Sequence, residues 1–375
     1  MGAGAKRNLE VIDLLRLLCA MGVLLYHYGS AYGRLPDPHD ALLSRPIVPD
    51  RWMVATWWGW IGVELFFVIS GCVIAGSARG ASPAGFLARR AARLFPAAWI
   101  CASLSFAVLL ATGAAGGLSG EWLRAMALWP VGPWIDGVYW TLGVEMAFYA
   151  LVAALLPWRR GRGLEPLAFW LGLTSLGYWL VVATGLLPGA WLQPRIADLL
   201  LLTHGCFFGL GILIRAVLDQ GMTRRRALGM ALCLFPAAIE ITAHAVRSLR
   251  ELGLAASPFV PLAIFAAGVG VVLAANRLQP VVGRWLRPGW AIAAGLATYP
   301  LYLLHQAAGT ALIGLLVRSG VSPLAAALLV GAGMLVLALV IAVTAEPWLR
   351  ARLAGMRSVL SLFPSRIILR EHAER

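Results

Sequence analysis

The chain has 375 residues, 60% of them hydrophobic and 13% charged, with a mean hydropathy of +0.80. Soluble domains carry about 25% charged residues, so this composition excludes that class and specifies an all-α, polytopic membrane helix bundle. The formal net charge is +14, but the basic residues alternate between loops instead of forming one stripe, which argues against a nucleic-acid partner.

The N-terminal Lys6-Arg7 leads into an apolar segment too long for a signal-peptide core, with no small-residue cleavage site after it, so the first helix is expected to remain as a span. That segment, 9–32, is long enough to cross a bilayer, which takes about 20 residues. It nevertheless carries Arg16 and His27, with Asp13 one turn before the arginine. The eleven steps from Arg16 to His27, at about 100° each, make three turns plus roughly 20°, so both side chains share a face about 16 Å apart along the axis. Ionisable groups on one stripe of a membrane helix turn towards protein or a water-filled cavity. The stripe is therefore read as the wall of an active site.

The second span, 54–76, contains Glu64 near mid-membrane and then Ser70-Gly71. Small residues there suit close helix packing, whereas a carboxylate at that depth needs a partner or a proton. The third span, 92–113, is preceded by Arg89 and Arg90 and opens on Arg93 and Pro96. These arginines are either positive flanks of a span or, since Arg90 and Arg93 share a helix face, a grip for phosphate. The fourth span, 138–157, opens Trp140-Thr-Leu-Gly-Val-Glu145-Met-Ala-Phe148-Tyr149. Glu145 is expected at the depth of His27, where it either forms a structural ion pair with an arginine or orients the imidazole.

Six further spans are expected at 164–183, 195–217, 226–244, 257–275, 291–316 and 323–345, ten in all. The loop Gly33–Met53 is rich in proline and mixed charge, and Ala114–Gly137 has room for a short interfacial helix. His204 is read as a core or helix–helix hydrogen-bonding residue, His305 as part of a polar network or a lining residue, and His39, His244 and His372 as loop or loop-flanking residues. The five cysteines, Cys19, Cys72, Cys101, Cys206 and Cys233, lie in apolar segments with no CxxC pair, so neither a metal site nor a disulfide framework is expected from them. Tryptophans gathered at one side of the first half suit an interfacial belt or a stacking platform for a sugar.

With the N-terminus in the cytoplasm, 22 of the 31 basic residues fall on the cytoplasmic side and eight on the other, leaving Arg16, deep inside the first span, on neither. This asymmetry predicts both termini inside. Residues 1–349 are taken as one membrane-embedded domain and 350–375 as a basic cytoplasmic tail.

Taken together, several stretches resemble the acyltransferase-3 family of integral membrane O-acyltransferases. Arg16 followed by His27 is similar to its Arg-x10-His signature, and Glu64-Leu-Phe-Phe-Val-Ile-Ser70-Gly71 to its Phe-Phe-Val-x-Ser-Gly segment. Arg90-x-x-Arg93-Leu-x-Pro96 matches its Arg-x-x-Arg-Ile-x-Pro, with leucine for isoleucine; Trp140 to Tyr149 matches Trp-Ser-Leu-x-Val-Glu-x-x-Phe-Tyr, with Thr141 for serine. Tyr302-Leu-Leu-His305 and Glu346-x-Trp348 resemble its late landmarks. The resemblance implies a multi-pass protein of the bacterial inner membrane that moves an acyl group, commonly acetyl, from cytoplasmic acyl-CoA to a hydroxyl of a carbohydrate or glycolipid at the outer face. Membrane lipids are its surroundings; no metal is implied; a homo-oligomer and a separate partner enzyme both stay open.

The mechanism expected from these residues has Arg90 and Arg93, with Arg89, on the CoA phosphates. Arg16 positions the thioester, His27 acts as general base or is transiently acylated, and Glu145 orients His27. Asp13, Glu64, Ser70, Trp140, Tyr149 and His305 support this set. A continuous passage along the Arg16–His27 face is expected. The rival reading is a transporter of a glycan or lipid with a His/Glu proton relay.

Overall fold

The structure is a computed structural model that describes residues 10–31, 50–113, 116–159, 163–185, 194–285 and 288–353. Lys6-Arg7, most of the Gly33–Met53 loop with His39, and the tail beyond residue 353 with His372 lie outside the described residues. The described residues contain helices and no strand. In chain order they are α1 (Glu10–Tyr26), prolonged by a wider π-type turn over His27–Ala31, α2 (Asp50–Thr56), α3 (Gly62–Ser77), α4 (Pro83–Ala111), α5 (Leu118–Met126), α6 (Trp140–Arg159), α7 (Glu165–Thr184) and α8 (Pro194–Leu199). There follow α9 (Gly205–Gln220), α10 (Arg224–Leu252), α11 (Val260–Leu273), α12 (Ala275–Trp285), α13 (Pro288–Leu304), α14 (Ala307–Arg318) and α15 (Pro323–Val340).

Seven of these helical stretches are long and apolar enough to cross a membrane, or nine if two bent pairs each count as one span. The bent pairs are α11–α12, turned by 84°, and α13–α14, turned by 67°. The expected span 195–217 is divided between α8 and the 16-residue α9, with Leu201 at a positive φ of 59° between them. The third span begins earlier than expected, at Pro83, because Ser82 caps its first turn by accepting from Gly85 N at 3.2 Å and Pro83 supplies a preset φ. Arg89, Arg90 and Arg93 thus lie inside α4. The expected interfacial helix is α5.

Two close contacts organise the centre. α3 packs along α9, and α1 along α13. A Cβ on Gly71 would collide with the Phe208 carbonyl oxygen, and one on Gly211 with that of Val68, so glycine on both helices sets this approach. Gly71 therefore serves the packing role read for the Ser70-Gly71 pair, while Ser70 does something else. Phe86, Phe148, Phe207 and Phe208 fill the interior, and Leu18, Trp170, Leu228, Leu328 and Val336 stand exposed on the outside. Such a coat of large apolar residues is what a bilayer, not water, requires.

Candidate active site

Arg16 of α1, Arg90 and Arg93 of α4, Ser70 of α3 and Glu145 and Tyr149 of α6 line one cavity of about 120 Å³. Each reaches it because its helix turns a polar position inward among apolar ones. Three arginines face one carboxylate there, an excess of positive charge suited to an anionic ligand. Ser70 Oγ donates to Glu145 Oε1 at 2.8 Å, and the Tyr149 hydroxyl donates to the same oxygen. Both bonds fall on Oε1, which leaves Oε2 for a ligand or an arginine. Asp13 stands 3.9 Å from the Arg16 guanidinium. Arg90 extends over the Phe86 ring, 5.9 Å from its centroid, and Arg350 donates to the Arg93 carbonyl oxygen at 3.3 Å.

The histidine end is built differently. His27 opens the π-type turn after α1. Its ring lies edge-on to His305, with centroids 5.0 Å apart. His305 sits at the break between α13 and α14 and is fully buried. Its Nδ1 lies 2.9 Å from the Tyr302 carbonyl oxygen and 3.2 Å from that of Leu301. Two carbonyl acceptors assign the proton to Nδ1 and leave Nε2 as an acceptor. Among the described residues Nε2 has no hydrogen-bond donor.

Two expectations change here. Glu145 is bonded to Ser70 and Tyr149, and among the described residues it forms no hydrogen bond with His27; the ring beside His27 is His305. The helical reading took depth as a proxy for contact, whereas α6 presents Glu145 to the arginines. The passage from Arg16 to His27 is also interrupted. The cavity ends at Tyr302, which packs edge-on to Phe66 at 5.8 Å, and the Tyr302 ring lies 5.9 Å from that of His305. Tyr302, Phe66, Thr141 and Tyr299 are cavity residues missed in the sequence. Phe66, Thr141 and Tyr302 each fell in a motif stretch, the available signal; the Thr141 hydroxyl lies 3.2 Å from that of Tyr302.

The remaining expected residues are scattered. Arg89 is exposed and donates to the Ser77 carbonyl oxygen at 3.4 Å, outside the cavity. Trp140 packs against Phe67 and His204, and its carbonyl oxygen accepts from Arg195 at 3.0 Å. His204 is a buried helix-junction residue with Nε2 3.5 Å from Asp198. Glu64 faces away from the arginines, towards Glu240 and His244 of α10. His244 therefore lies within a helix, not beside a loop.

A family model described as "Acyltransferase domain", that of acyltransferase-3, matches residues 9–343. The chain belongs to the acyltransferase-3 family. Among curated proteins it is similar to "Nodulation protein 10" of Rhizobium leguminosarum bv. viciae, with 30% identity over 210 residues, 48% of this chain and 52% of that protein. The chain thus spans about half the length of the curated relative it matches. No solved structure matches it. That membership and the apolar helices fit a multi-pass membrane protein with an acyltransferase domain.

Proposed function

We propose that this acyltransferase moves an acyl group, most simply acetyl, from cytoplasmic acyl-CoA to a hydroxyl of a carbohydrate or glycoconjugate at the outer face of a bacterial inner membrane. The observation that carries this reading is the convergence of Arg16, Arg90 and Arg93 on one membrane-embedded cavity, with His27 three turns along the same α1 stripe. Both termini are assigned to the cytoplasm from the 22-to-eight distribution of basic residues, which puts the arginines on the donor side and His27 towards the acceptor.

In this reaction Arg90 and Arg93 bind the phosphates, as guanidinium forks do. Arg16, held by Asp13, lies along the donor's extended arm and positions it, so that the thioester reaches His27 further along α1. Glu145 keeps the arginines apart and charge-balanced. His27 takes the proton of the acceptor hydroxyl, whose oxygen attacks the thioester carbon; the C–S bond breaks, and the CoA thiolate leaves and is protonated. The products are the acyl ester and free CoA. The His305 ring, edge-on to His27, holds that imidazole in place, the role expected of Glu145. Tyr302 and Phe66 stand between the two ends, so the Tyr302 ring rotates to admit the thioester.

The test is thiol release from acetyl-CoA by the purified chain in proteoliposomes, with mass spectrometry of envelope glycans as acceptors. Acceptor-dependent thiol release that His27→Ala abolishes supports the reading. Full activity of His27→Ala, or no thiol release with any hydroxyl acceptor, overturns it; glycan movement without thiol release is the transporter's result.

A further inference from the structure

Two glutamates lie buried beside one another, away from the arginine cavity. Glu64, in the first turn of α3, is 2% exposed, and Glu240, in the middle of α10, is 4% exposed. Among the described residues neither Glu64 Oε2 nor Glu240 Oε2 has a hydrogen-bond partner. No arginine or lysine pairs with either carboxylate among the described residues. Two unneutralised carboxylates in so apolar a place repel one another and lack hydration, a cost of several kcal/mol per ion. Something positive belongs between them.

A third group completes the cluster. His244 follows Glu240 by four residues, the spacing that puts two side chains on one helix face and lets a helix hold one ion with two ligands. One ligand atom from each of Glu64, Glu240 and His244 lies within 4.8 Å of the others, and His244 Nδ1 is 3.8 Å from Glu240 Oε1. The imidazole is held flat against Trp60, with centroids 3.9 Å apart and planes at 5°, so its orientation is fixed before any ion arrives. Its side chain is 40% exposed, which provides an entry path.

We propose that Glu64, Glu240 and His244 form a binding site for one divalent transition-metal ion, of the Zn²⁺ or Mn²⁺ class. Two carboxylates and an imidazole are a donor set these ions accept, and the two negative charges match the ion's two positive ones. Bonds of about 2.0–2.1 Å in a tetrahedron put ligand atoms roughly 3.3 Å apart, so the three groups draw inward by about 1 Å when they close on the ion. The site ties α10 to α3 beside the Trp57–Ile61 turn, which packs on α1. It is a brace for the helix that carries Arg16 and His27, not part of the transfer reaction. The five cysteines have no share in it.

The experiment uses the full chain without an affinity tag, purified in detergent, loaded with Zn²⁺, desalted and measured by elemental mass spectrometry. About one Zn²⁺ per chain is expected, with a raised unfolding temperature; Glu240→Gln and His244→Ala each lower retention at least about ten-fold. His244 is half-exposed, so its variant tests binding without emptying the core, and unchanged acyl-CoA binding certifies its fold. Co²⁺ in place of Zn²⁺ gives a visible absorption band that the variants lose. No retained metal, or equal retention in His244→Ala, overturns the site. So does an infrared carboxylic-acid band that persists in saturating Zn²⁺ and disappears in Glu240→Gln, the signature of a shared proton.

Discussion

The two ends of the α1 stripe handle charge in opposite ways. At Arg16 the cavity holds three guanidiniums and a carboxylate whose Oε1 accepts from two hydroxyls. At His27 the neighbours are rings, His305 at 5.0 Å and Tyr26 at 5.2 Å, with no carboxylate among its described contacts. A fixed cluster of charge suits the grip on a polyanion, because guanidiniums stay protonated at any working pH. The aromatic setting leaves the other end without fixed charge, so a proton taken up there has no counter-ion beside it and is readily given up again. The proposed reaction thus separates binding charge from moving protons along one helix and gives the carboxylate to the first task.

Substitutions test that division, and the largest effect belongs to the histidine end. His27→Ala is expected to lower acyl transfer by about 10²–10⁴-fold, the range of a general acid–base group, while equilibrium binding of acyl-CoA is unchanged. A variant that lost donor binding in step with turnover would erase the distinction between the ends. Next comes Arg93→Ala: losing a charge-assisted contact costs about 1.5–3 kcal/mol, seen as a KM for acyl-CoA raised roughly 10–100-fold with a smaller change in kcat. His305→Ala is expected to lower kcat about two- to ten-fold, about 0.5–1.5 kcal/mol for one edge-to-face ring pair. Its KM for acyl-CoA should hold, and His305→Phe, which keeps a ring against His27, should recover part of the rate. If Glu145→Gln lowered kcat as far as His27→Ala does, the carboxylate would belong with the histidine after all. The smallest effect is expected of Arg89→Ala, whose exposed side chain donates to the Ser77 carbonyl: within about 0.5 kcal/mol in stability and no measurable change in KM.

Much of this was legible in the chain. Apolar length located the helices, and Arg16, Arg90, Arg93, Ser70, Glu145 and Tyr149 converge although up to 133 positions separate them. What stayed hidden has particular causes. Leu201 and His305 stand in apolar runs, so the breaks between α8 and α9 and between α13 and α14 leave no trace, whereas the α11–α12 break coincides with the expected span end at 275. Arg247, Arg250 and Glu251 lower the hydropathy at the end of α10, so the helix reads as finished near His244 when it runs to Leu252. The Glu240–His244 spacing was thereby cut at its second member. The choice of partner for Glu145 depends on the rotation of α6 about its axis, which no spacing within a single helix records.

The break at His305 has a mechanical consequence. Interrupting a helix inside a membrane exposes backbone groups that lipid cannot satisfy. Here Asp136 accepts from Ala307 N at 2.8 Å, and the Tyr28 hydroxyl donates to the His305 carbonyl oxygen at 2.7 Å. Tyr28 is the residue immediately after His27. The amino-terminal helix therefore grips the kink that carries its own partner imidazole, and the two rings travel as one body. A conformational cycle of the proposed reaction would keep this pair together, with the Tyr302 ring bordering both the pair and the cavity.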